Sequence, residues 1–277
     1  MHALLAVAAQ HTHLLLGLNS ANADLDYHGL AVAHKNHVLQ SLPAVTDPDI
    51  HLLLISFLCV LEYADTSGRD IFSLISTFFS SFHGRFFIGK PSTSIGLYDR
   101  RHPGQPLKIN IRHTTESDRQ LQFLFPKSLH HIHLPASEYA WPDPEEVQDP
   151  AISEAYREAV EALHGSWHLF QRQGSEMAAA VSWFARFTEE FYHFLVVERK
   201  QRALVLLYHY CTMLNWLVER DPPCWWASGQ TGLASYLGSV WSLLEERWRM
   251  RINMATTLDL QIQLPPVEES PTAAFLL

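Results

Sequence analysis

The chain is poor in the features that most often declare a function. It has only three cysteines, Cys59, Cys211 and Cys224, far apart and odd in number. They fit buried thiols in a reducing compartment better than a disulfide framework. Basic residues are outnumbered, 20 Lys and Arg against 29 Asp and Glu, for a formal net charge of −9. An extended nucleic-acid surface needs clustered Lys and Arg, so this balance argues against one. The longest apolar run, around Leu52 to Leu61, falls short of the roughly 20 residues that span a bilayer. No G-x-S-x-G, no P-loop and no G-x-G-x-x-G after a strand is present. A secretory signal is also disfavoured. Met1 to Leu18 is apolar and Ala21-Asn22-Ala23 has the small-residue form of a cleavage site, but no Lys or Arg precedes the run, and Gln10, His11, Thr12 and His13 interrupt it.

What is present is helical periodicity over most of 277 residues, 47% of them apolar, enough for a sizeable core. Leu4, Leu5, Ala8, Thr12 and Leu15 keep helical spacing with no cap or leader before them. The chain is therefore expected to start inside a helix, as a fragment or a truncated gene model would. A second helix carries Tyr27, Leu30, Ala31, His34, Val38 and Leu42, and Pro43 ends it. Asp47-Pro48-Asp49 is a strong helix start, a carboxylate cap followed by proline at the first helical position. It opens a helix over Ile50 to Ala64, and another is expected over Asp70 to Phe82.

Between His83 and Pro135 the helical period disappears. Eight Lys and Arg residues fall there against three acids. Three readings are open: a long surface loop or disordered insert, retained intron sequence, or a functional basic loop. Long structureless loops are uncommon in compact domains. An acidic, proline-rich linker follows to Pro150, where Asp149-Pro150 repeats the cap-plus-proline start. The next helix places Ile152, Ala155, Tyr156, Ala159, Leu163, Trp167 and Phe170 on its apolar side. A further helix, capped by Ser175, is expected to carry Val181, Phe184, Phe187, Phe191 and Leu195. Glu198 to Arg202 reads as a charged break.

The run from Arg202 to Trp248 is the most informative. Ala203, Leu206, Leu207, Tyr210, Leu214 and Leu217 recur at helical spacing, and the opposite side (Val205, Tyr208, Met213, Trp216) is apolar too. A helix apolar all round is a buried, central one. Asp221-Pro222-Pro223 stops it, and a second stripe follows in Leu233, Leu237, Val240, Trp241, Leu244 and Trp248. The expected architecture is all-α, one domain of packed, mostly antiparallel helices. Its N-terminal helices span 1–82, an irregular basic insert and linker 83–149, the C-terminal helices 150–252 and a tail 253–277.

Metal chemistry finds weak footing. His130, His131 and His133 cluster without a second set of matching spacing, and His164 with His168 lie four apart without an HExxH arrangement. Neither brings the third ligand that catalytic zinc requires, so no metal site is expected in the chain. The remaining signal is aromatic density. Phe184, Phe187, Phe191, Tyr192, Tyr210, Trp216, Trp225 and Trp226 either pack as plain core or line a cavity for an apolar ligand. Phe187, Phe191, Tyr210, Met213, Trp225 and Trp226 are the candidate ligand-binding set.

The order RALVLLYHYCTMLNWL, a short break, then WWASGQTGLASYLG resembles the C-terminal regulatory domain of fungal zinc binuclear cluster transcription factors, nearest to the sterol uptake control proteins. His209-Tyr210, Trp225-Trp226 and Gly229 match the family's His-Tyr pair and Trp-Trp-x-x-Gly element. The opening MHALLAVAAQHTHLL, the helix YHGLAVAHKNHVLQSL and AYREAVEAL resemble further family helices. Gln230 stands where the family usually has Trp, and the six closely spaced cysteines of the zinc cluster are absent. The resemblance implies a regulatory, sterol-sensing domain acting in the nucleus and shuttling with the cytoplasm. Zinc and DNA binding would belong to a zinc cluster outside this chain. No enzyme activity and no membrane span are expected. An apolar ligand and a homodimer are the expected partners. A helical interaction module without a ligand is the alternative, and an all-α enzyme with an unrecognised site is a second one.

Overall fold

A computed structural model describes residues 1–17, 26–64, 70–86, 126–136, 139, 141–170, 176–219 and 232–263. The described residues are all-α, with ten α-helices, short 3-10 turns and no strand.

The first four helices are α1 (His2–Gly17), α2 (Tyr27–Ser41), α3 (Pro48–Ala64) and α4 (Ile71–Phe86). Helix α1 buries Ala3, Ala6 and Gln10, whereas Leu4 and Leu5 are exposed. The helix expected from the leucine-led spacing forms, with the alanine face rather than Leu4 and Leu5 turned inward. Small side chains let α1 approach α2 and α3 closely, and Gln10 Nε2 donates to the Ala64 carbonyl at 3.2 Å. Asp26 caps α2 by accepting from the Gly29 amide at 2.7 Å. A Cβ on Gly29 would lie 2.1 Å from Asp26 Oδ2, so glycine makes room for that cap. Asp47 accepts from the Ile50 amide at 3.2 Å, as the Asp-Pro start predicts. Asp70 caps α4 through the Phe72 and Ser73 amides at 2.8 and 2.9 Å. The Ser73 amide, followed by the other donors, holds that carboxyl below its ordinary range. Helix α4 continues to Phe86, past the expected boundary at 82.

Residues 87–125, where the insert was expected, lie outside the described residues. The described residues of the stretch 126–147, read from sequence as the end of the insert and a linker, instead pack into the core. Its 3-10 turns Lys127–His131 and Pro144–Val147 bury Leu129 and Val147, and Ile132 and Trp141 between them are buried too. Trp141 Nε1 donates to the Ser128 carbonyl at 3.0 Å. The stretch carries too few apolar residues for a helical period, so only its partners disclose its role.

Helix α5 (Pro150–Phe170) is capped by Asp149 and buries the expected face. The single helix expected after Ser175 is broken into α6 (Glu176–Ser182), a 3-10 turn Phe184–Arg186, α7 (Glu189–Tyr192) and a π-turn His193–Val197. The break falls at Phe187, whose backbone is extended, because Thr188 caps α7 by accepting from the Phe191 amide at 3.1 Å. Arg199 then takes a left-handed conformation, φ 53°. Helix α8 (Gln201–Glu219) is central: Arg202 to Leu207, His209 to Cys211, Met213 and Leu214 are buried.

The last helical run is two helices, α9 (Gly232–Leu243) and α10 (Glu246–Gln263), so ordered helix continues beyond the expected tail boundary at 253. Gln201 explains the break between them. Its Nε2 donates to the Leu243 carbonyl at 3.1 Å, and its Oε1 accepts from the Glu245 amide at 2.7 Å. One side-chain amide satisfies backbone groups that a continuous helix would have paired. Among the described residues no helix is long and apolar enough to cross a membrane.

Candidate functional site

Among the described residues, part of the aromatic density gathers in a buried cluster against Tyr210 of α8. Trp183 stacks on Tyr210 with ring centroids 4.7 Å apart and meets Phe187 edge-on at 4.8 Å. Phe187 meets Phe191 edge-on at 4.9 Å, and Phe184 meets Tyr210 at 4.8 Å. Phe78 of α4 closes the group from the other side, 5.5 Å from Phe184. Offset and edge-to-face pairs at these separations add to the stabilisation from area alone. Polar edges are satisfied: Trp183 Nε1 donates to the Ala159 carbonyl at 3.0 Å. Tyr210 donates to the Ala180 carbonyl, and the Tyr63 hydroxyl lies 2.5 Å from that of Tyr210.

Of the six candidate ligand-binding residues, Phe187, Phe191, Tyr210 and Met213 are all buried, and the first three share this ring cluster. Trp225 and Trp226 lie outside the described residues, as do Gly229 and Gln230. Trp216 and Tyr192 sit at the margins: Trp216 is 5.5 Å from Phe170, and Tyr192 stacks on Phe79 at 3.9 Å. Sequence reading missed Tyr63, Phe78 and Trp183 as members of the cluster. Each looks like an ordinary apolar helix position, and nothing local marks it.

The chemistry available in the cluster is that of a buried, neutral core. Burial pushes the Tyr63 and Tyr210 phenols well above their ordinary range. Burial likewise pushes up the thiols of Cys59 and Cys211, with Glu62 adding to the effect at Cys59. Such thiols stay protonated and are poor nucleophiles.

A second constellation was invisible in the sequence. Arg202, fully buried, donates through Nη1 to the Ile132 carbonyl, through Nη2 to those of Pro142 and Asp143 at 2.7 and 2.9 Å, and through Nε to Glu146 at 3.2 Å. Its guanidinium lies 5.3 Å from the Trp248 ring centroid. Tyr156 donates to the other oxygen of Glu146 at 2.6 Å. Burial, then the Glu146 charge, pushes that phenol far above its ordinary range. A cavity of about 310 Å³ opens beside this knot, lined by Asp143, Glu145, Glu146, Lys200 and Gln201. Asp143, Glu146, Lys200 and Gln201 are engaged within the chain. Asp143 forms a two-pronged pair with Arg247, 2.7 Å on each prong, and Lys200 reaches Glu198 at 3.4 Å. The knot fastens the 126–147 stretch to α8 and α10.

The two histidine groups that the sequence keeps apart converge. His130 meets His164 edge-on at 4.7 Å, and His164 lies 4.2 Å from His168. Even so, no three His, Cys, Asp or Glu among the described residues are arranged to hold a metal ion.

No protein-family model, curated protein or solved structure matches this chain.

Proposed function

We propose that this chain is the regulatory, ligand-sensing helical domain of a fungal transcription factor of the zinc binuclear cluster family, of the sterol uptake control type. The observation that carries the reading is the ordered set of motifs: the N-terminal helices, then His209-Tyr210, Trp225-Trp226 and Gly229. The burial of Tyr210 in an aromatic cluster on the central helix supports it, since an apolar ligand needs such a lining. DNA binding and zinc would reside in a zinc cluster elsewhere in a longer protein, and the site of action would be the nucleus, with shuttling to the cytoplasm.

The mechanism is a shift between packing states. The rings of Trp183, Phe187, Phe191 and Tyr210 pack against one another. A sterol-like ligand would therefore bind a state in which they part. It would move the equilibrium only by its difference in affinity for the two states. Ergosterol and related sterols are expected to raise the melting temperature of the purified chain, whereas fatty acids and phospholipids are not. No shift with any member of a broad lipid panel would overturn ligand sensing.

A second reading, a dimerisation module without a ligand, rests on Leu4, Leu5, Leu30 and Leu39, which α1 and α2 leave exposed. Sedimentation equilibrium decides it: a monomer at high micromolar concentration would remove this reading.

A further inference from the structure

The 3-10 turn Lys127–His131 lies on α5, and three imidazoles from the two elements meet there. His130 from the turn stands edge-on to His164, and His168 stands one helical turn further along α5. His131 continues the group toward Tyr139, 5.0 Å away. We infer that this imidazole cluster is a proton-operated latch: its neutral rings pack the turn onto α5, and its protonated rings repel one another and free the turn. The inference stands apart from the proposed function.

The charged surroundings of the cluster favour the neutral form. From α5, Arg157 and Glu161 face His133, and Arg157 is itself held between Glu154 and Glu161. The two carboxylates that act on His133 are thus already paired. From the 3-10 turn Phe184–Arg186, Arg186 lies against Gly165, the neighbour of His164; a Cβ there would be 3.3 Å from its Nη1. From α10, Arg251 stands 5.8 Å from the Trp141 ring centroid and beside Tyr139. The turn itself adds Lys127 and His131. Burial, followed by the charges of His168 and His130, brings His164 down to about 4. Burial, followed by neighbouring cations, also lowers His130 and His133.

Opening would be local. Ile132 is pinned by Arg202, and the His133 carbonyl accepts from Ser153 Oγ at 2.9 Å. Neither bond involves an imidazole ring. What protonation frees is the turn ahead of them, with the buried side chain of Leu129 and the bond from Trp141 to the Ser128 carbonyl.

Hydrogen exchange read by mass spectrometry at pH 7 and pH 5, corrected for intrinsic rates, tests the latch. Protection across 126–131 is expected to fall about tenfold relative to α8 in the natural chain, as a local opening does. The combined variant His130→Gln, His164→Gln, His168→Gln is expected to abolish most of that fall. Unchanged protection at pH 5, an equal fall in the variant, or loss only together with α8 would overturn the inference. Should the combined variant not fold, NMR titration of the histidine rings in the natural chain decides. Ring protonation that leaves the amides of 126–131 undisturbed overturns the latch, and coincident change supports it.

Discussion

The hydroxyls of Tyr63 and Tyr210, 147 residues apart in sequence, meet at 2.5 Å inside the core, at the backbone carbonyl of Ala180. The contact joins α3, α6 and α8 at one point. Tyr210 donates to the carbonyl and Tyr63 donates to Tyr210, so each proton has an acceptor. Both phenols are neutral, because burial disfavours the phenolate.

Removing the two hydroxyls should therefore have unequal effects. Tyr63→Phe leaves the Tyr210 bond intact and is expected to cost about 0.5–1 kcal/mol, whereas Tyr210→Phe is expected to cost about 1–2 kcal/mol. The double variant should fall short of additivity, because each single variant already removes the bond between the two hydroxyls. Urea denaturation of the four proteins checks this; additive losses would show that the hydroxyls act independently.

Arg202 is the residue whose loss should harm the fold most. Arg202→Met takes the cation from Glu146 and the donor from the buried Ile132 carbonyl and the part-buried carbonyls of Pro142 and Asp143, for a loss on the order of 3–5 kcal/mol. Arg202→Lys should recover little of it, since a lysine cannot reproduce the planar fork that reaches Ile132, Pro142, Asp143 and Glu146 together. Denaturant midpoints measure both. A lysine variant as stable as the natural chain would refute the fork argument.

The pair Lys35–Glu62, 2.5 Å apart and largely buried, ties α2 to α3. Lys35→Met removes the cation beside the enclosed Glu62 carboxylate, and is expected to cost on the order of 2–3 kcal/mol at pH 7, less than for a fully buried pair. The double variant Lys35→Met, Glu62→Leu should regain most of the loss. Thermal melts of the two proteins decide the matter: a double variant no better than the single one would mean the charge is not the cause.

Stability should fall in mild acid. The folded chain holds His164 at about 4, below its ordinary 6.5, so the unfolded chain binds the proton first. The stabilisation is present in full above about 6.5 and is lost as pH falls toward 4. His130 and His133 shift in the same direction. Unfolding free energies measured at pH 7, 6 and 5 should decline, and less steeply in His164→Gln. Parallel declines would show that other groups carry the dependence.

Much of the framework was legible in sequence because it is written locally. The Asp47-Pro48 and Asp149-Pro150 starts, the apolar face of α5 and the all-round apolarity of α8 each follow from capping chemistry or a 3.6-residue period. Which face of a helix turns inward was less legible. Helix α1 buries Ala3 and Ala6 rather than Leu4 and Leu5, because the close approach of α2 favours small side chains there.

The candidate site was legible only in part. The sequence picked out Phe187, Phe191, Tyr210 and Met213 from their density, but density carries no information about which rings touch. Trp183, Tyr63 and Phe78 joined the cluster through packing between helices distant in the chain.

The amino-acid sequence by itself determined that the chain is helical, where its strongest helices begin and that α8 is buried. Those properties depend on caps and on periodicity within a few turns. Tertiary structure alone decided the rest. It placed Arg202, read as part of a charged break, at the centre of a buried knot. It turned an expected linker into core, and it joined two separate histidine groups into one cluster. The physical reason is the same in each case: a buried charge, a carbonyl or an imidazole takes its meaning from partners that folding brings across tens of residues, and no local pattern encodes them.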